Sequence, residues 1–326
     1  MVEKEFGDKI RVHPRFRLSY REHERGLVGS YDHELLMKYL PPTSGLIDGD
    51  KALSRSLRGV IPDSTIEALD STEFVGVYGR VIHQTDDPEV MCLQYLFVWD
   101  YQAVPAHECD YEPVFVYVLG NDAYMIYDFV HYCSRRLDSV NLRNEGFGLR
   151  VVPGWHSFLP VDELGKHDEI DSVKPLSDQH LRTWWSIPDE AARLKIEGFL
   201  RDPFLLEAPG HFLDEPDENA QTICCTFLEI ENALKEFDDP RKAVIEGSKR
   251  ALAKCVGILA LYRLGAYLQL LGEMRDLGML RMAIESDVGI DLSTIGTMLR
   301  DGFISLTKTG GEILKGLLSN TDVDDG

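Results

Sequence analysis

Hydrophobic and polar positions divide the chain into stretches of different period. From Phe74 to Phe158 the period is two. The segments FVGVYGRVIH, VMCLQYLFVWDYQ, YEPVFVYVLG, YMIYDFVHY and LRVVPGWHSF are rich in Val, Tyr, Phe and Trp, and each predicts a strand. The links at Thr85–Pro88 and Gly120–Asp122 are short, so neighbouring strands should pair as antiparallel hairpins. Ala103–Ala106, which contains Pro105, is the expected connection between the second and third strands. In the second strand Tyr95, Phe97 and Trp99 should share one face and Leu96 and Val98 the other.

Helical spacing dominates elsewhere. Asp32 begins DHELLMKYL as an N-cap, and Pro41-Pro42 ends it. His13–Leu18 has the look of an edge strand, Gly45–Gly59 of a loop carrying Lys51, Arg55 and Arg58, and Pro62–Leu69 of a short helix. Those three cations would be solvated or would contact an anionic ligand. Val161–Pro175 is polar and predicts a loop, followed by short helices at Asp178–Trp185 and Asp189–Leu200. Ala208–Glu218, with two Pro and a Gly, is a linker or lid. Ile223, Phe227, Ile230 and Leu234 then recur at helical spacing. Asp239-Pro240 opens a long helix to about Arg275, with Gly257 and Gly265 expected to face another helix. Helices at Leu277–Ser286 and Ser293–Ser319 precede an acidic tail. The expected fold class is α+β, an antiparallel β-sandwich followed by a mostly α-helical C-terminal region. The expected division is 1–207 (sandwich), 208–218 (linker or lid), 219–320 (helices) and 321–326 (tail).

Ala251–Met274 is apolar enough to test for a membrane span. Lys254 and Arg263 interrupt it, and a charge near mid-bilayer costs roughly 2.5–3.5 kcal/mol. A buried helix in a bundle or homodimer carries no such cost, and no transmembrane span is expected. Phe303–Leu318 is amphipathic and suits either a packed helix or a lipid surface.

Charge narrows the function classes. The 326 residues carry a net charge of −21, which excludes sequence-independent nucleic-acid binding through a basic surface. None of the six cysteines forms a C-x-x-C pair. Most lie in apolar segments, as free thiols of a reducing compartment do. The opening MVEKEFGDKIRVHPRF lacks an apolar secretory core, so the expected location is cytoplasmic. No Walker loop, dinucleotide glycine fingerprint, nucleophile elbow or H-E-x-x-H is present. Glu229 and Glu231 are expected on a solvated helix face.

The candidate chemistry lies on the central hairpin, where Asp100, His107, Glu108, Asp110 and Glu112 crowd around the break. Like charges at this density repel unless a cation holds them. Alternation puts Asp110 and Glu112 on one face, with Tyr111, Phe115 and Tyr117 on the other. His107 joins the two carboxylates only where the strand is irregular, and Asp100 would be the fourth ligand across the hairpin. One imidazole with three carboxylates suits Mg²⁺, Mn²⁺ or Ca²⁺ better than structural zinc. A solvated acidic hairpin is the competing reading of the same residues.

The run H-x-x-D-x-E at His107, Asp110 and Glu112 resembles the metal-site hairpin of the necrosis-inducing toxin family, G-H-R-H-D-W-E, with Tyr111 in place of Trp. The wider pattern, Gln94–Gln102 followed by His107–Glu112, resembles the vacuolar protein sorting-associated protein 62 family, whose strands run "Y-W-F-x-Y-x-Y-N … H-E-G-D-W-E". Cys109 stands where that family has Gly. The likeness spans about Phe74 to Phe158. It implies a β-rich fold and one divalent cation, and it places His131 and His156 near the metal hairpin, His156 beside the ligands and not on the cation. The toxins are exported and this chain shows no leader, so their activity is not carried over.

The leading expectation is a divalent-metal-binding protein whose cation orders a pocket for a polar or anionic small ligand, such as a glycan or phosphate. An alternative is a metal-dependent phosphoester or ester hydrolase with Glu108 or His131 as general base. A third is a non-enzymatic scaffold that dimerises through its C-terminal helices.

Overall fold

The computed structural model describes residues 29–84, 87, 89–103, 106–120, 122–130, 134–138, 148–161, 165–177, 203, 226–256, 273–274 and 277–278. The chain divides into two compact units, Met1–Arg58 with Ser64–Pro216 and Gly59–Asp63 with Asp217–Gly326.

The first unit is built on a six-stranded sheet in the order β6-β5-β4-β3-β2-β9. Its strands are β2 (Phe74–His83), β3 (Val90–Gln102), β4 (His107–Leu119), β5 (Asp122–Val130), β6 (Ser134–Asp138) and β9 (Val173–Pro175). From β2 to β6 every pairing is antiparallel between consecutive strands, as the short links predict. A second sheet holds β1 (Thr43–Ser44), β7 (Gly148–Val151) and β8 (Phe158–Val161) in the order β1-β7-β8. The fold is thus mixed α and β, and the described residues show no closed sandwich.

Two details differ from the sequence expectation. β9 and β1 pair in parallel with β2 and β7, and both are very short. The polar segment 161–175 therefore supplies an edge strand as well as a loop. The apolar run Leu149–Phe158 is two strands, because Pro153-Gly154 turns the chain. Val152 N–H donates to the Ser157 carbonyl at 2.9 Å and His156 N–H to the Val152 carbonyl at 2.8 Å. Gly154 at the bend has φ +78°, a conformation that glycine adopts without strain.

Register fixes the faces of the main sheet. Trp99 lies opposite Asp110, Phe97 opposite Glu112 and Tyr95 opposite Val114, so these six share a face. Aromatic anchors fasten that face to the layer above. The Tyr95 hydroxyl donates to the Leu36 carbonyl at 2.7 Å and Trp99 Nε1 to the Leu46 carbonyl at 3.2 Å. Phe97 meets Phe158 of the small sheet edge-on, with centroids 5.1 Å apart. Gly79 lies on the same face, and a Cβ there would sit 2.7 Å from Val173 Cγ1 and 3.0 Å from Leu36 Cδ2. The absence of a side chain lets α1 (His33–Tyr39) approach the sheet. Asp32 caps α1 as expected, accepting the Leu35 N–H at 3.0 Å.

Gly49–Leu57, expected as loop, is a helix, α2. Asp50, Leu53, Ser54 and Leu57 are its buried residues, and their spacing is that of one helical face. Helix α3 spans Asp63–Ser71. Arg58, expected as a solvated or ligand-binding cation, pairs with Asp70.

In the second unit α4 (Thr226–Glu236) and α5 (Pro240–Val256) pack against each other. Pro240 opens α5 and the Asp239 carboxylate accepts the Arg241 N–H at 3.0 Å, the expected start. Close approach is made at Gly247, where an added Cβ would lie 2.6 Å from both Ile230 Cα and Ile230 N. Glu229 is buried beside that contact instead of solvated, because α5 covers its face of α4. Among the described residues no helix is long and apolar enough to cross a membrane.

The expected strand at His13–Leu18, the helices at Asp178–Trp185 and Asp189–Leu200, the linker at Ala208–Glu218, Gly257 and Gly265 all lie outside the described residues. So do Phe303–Leu318 and most of the two last helices.

Candidate functional site

β4 carries Asp110 and Glu112 one pleat apart on the sheet face that the layer above covers. Asp110 is 4 % exposed and Glu112 is 0 % exposed. Burial of ionisable groups at this level is costly without charged or hydrogen-bonding partners.

For Asp110 one partner is His156, whose Nδ1 lies 2.7 Å from Asp110 Oδ2. The other imidazole nitrogen, Nε2, lies 2.9 Å from Asp50 Oδ2. Both neighbours are carboxylates, which in their ionised form only accept, so the ring donates from both nitrogens and is an imidazolium. Burial alone would push the imidazole down. The Asp50 charge and the hydrogen bonds to Asp110 and Asp50 outweigh it and raise the pKa to about 9. The ring is stacked on the Trp99 indole, with centroids 4.3 Å apart and planes 4° from parallel. A cation over an indole face is attracted by the ring quadrupole, which adds to the ion pairs.

Three elements position this cluster. Asp50 comes from the first turn of α2, and its Oδ1 accepts the Gly154 N–H at 2.6 Å. His156 comes from the turn between β7 and β8, in the left-handed region at φ +61°. Asp110 comes from β4. One aspartate therefore holds the turn through both its backbone and its imidazole.

The residues expected to be metal ligands are brought together only in part. Asp110 and Glu112 share a buried face. Asp100 is exposed, and its Oδ1 accepts the Glu73 N–H at 2.7 Å. His107 is half-buried, with Nδ1 3.4 Å from the Glu108 carbonyl. Strict alternation leaves Asp100 and His107 on the face opposite Asp110. The strand is irregular between His107 and Asp110, however, because Cys109 has φ +58°. Glu108, the expected general base, is exposed on the ladder opposite Tyr101. His131 lies outside the described residues. Among the described residues no three His, Cys, Asp or Glu side chains form a group suited to one ion.

Sequence reasoning missed Asp50. The available signal was a carboxylate in register with Leu53, Ser54 and Leu57 on a helical face, where a buried acid needs a partner. Comparison of the chain with family models, with curated proteins and with solved structures finds no match.

Proposed function

We propose that the protein binds one divalent cation, Mg²⁺, Mn²⁺ or Ca²⁺, through Asp110 and Glu112, and that the cation orders a site for a polar or anionic small ligand. The observation that carries this reading is the pair of buried carboxylates on one face of β4, beside an imidazole that holds Asp110. Oxygen donors of this kind suit hard cations. The resemblance of His107–Glu112 to metal-site hairpins supports the same choice, and so does the irregular backbone at Cys109. The two sheets are read as facing layers of a sandwich, supported by the Phe97–Phe158 and Trp99–His156 contacts.

Elemental analysis of protein purified without chelator tests the reading, followed by thermal unfolding in EDTA and in each cation. Asp110→Asn removes a ligand and a like charge together. It breaks the buried bond to His156 and so lowers stability even in EDTA, but it should cost more in the cation, because stabilisation by the cation is abolished as well. Equal loss of stability in both conditions would make Asp110 a structural carboxylate.

A further inference from the structure

We draw no further inference here: the strongest candidate, the buried side-chain cluster in which His156 of the β7–β8 turn bridges Asp50 of α2 and Asp110 of β4, belongs to the site already described.

Discussion

Removing the charge of His156 should cost the first unit much of the stability of its central cluster, and pH is the cleanest way to do it. The folded protein holds the imidazolium with a pKa of about 9 against an ordinary value of 6.5. At 1.36 kcal/mol per unit, this rise corresponds to about 3 kcal/mol. The folded pKa is the higher one, so the contribution is fully present below about pH 6.5. It declines through the interval to about pH 9, where the native imidazole loses its proton, and is absent above. The assay is urea unfolding in EDTA from pH 6 to about 10, followed by tryptophan fluorescence. Lysines, tyrosines and cysteines also titrate in this interval, so the informative quantity is the difference between wild type and His156→Gln. That difference should shrink by about 3 kcal/mol across the range. A difference that stays constant with pH would mean that His156 is neutral in the fold, and the double-donor assignment would be wrong.

Two further substitutions probe packing. Gly247→Ala places a Cβ where Ile230 backbone atoms lie 2.6 Å away, so it should destabilise the α4–α5 pair by about 1–3 kcal/mol or more; unchanged helicity and unfolding in calorimetry would contradict that close crossing. Phe97→Ala removes the ring that meets Phe158 and should cost about 3–5 kcal/mol in urea unfolding. A loss below about 1 kcal/mol would show that the two sheets are not joined there.

The parts of the fold written into local sequence are those with local causes. Val90–Gln102 is legible because β-branched and aromatic side chains leave little alternative to a strand, and its faces follow from the pleat. The starts of α1 and α5 are legible because Asp32 and Asp239-Pro240 bond their own neighbouring backbone. β1 and β9 are not, since strands of two and three residues in parallel pairings depend on partners distant in the chain. α2 is a short helix of mixed composition just beyond a glycine-bounded turn, and propensity alone does not separate it from a loop.

The candidate site divides along the same line. Asp110 and Glu112 share a face by simple alternation, and the hairpin shows it. The partnership of His156 with Asp50 and Asp110 joins α2, a turn and β4, and no local pattern announces such a contact. Cys109 is intermediate. A non-glycine residue in the left-handed region is uncommon, and here the ladder lacks the Asp100–Cys109 pair while keeping its register on either side.

The most direct test of the central claim is thermal unfolding of wild type and of the Asp110→Asn/Glu112→Gln variant, each in EDTA and in excess Mg²⁺, Mn²⁺ or Ca²⁺. A cation present at about 100 times its Kd stabilises a one-site protein by about 2.7 kcal/mol. The account predicts a rise in unfolding temperature for wild type with at least one of these cations and none for the variant. No shift in wild type with any of them, or the same shift in both proteins, would contradict it.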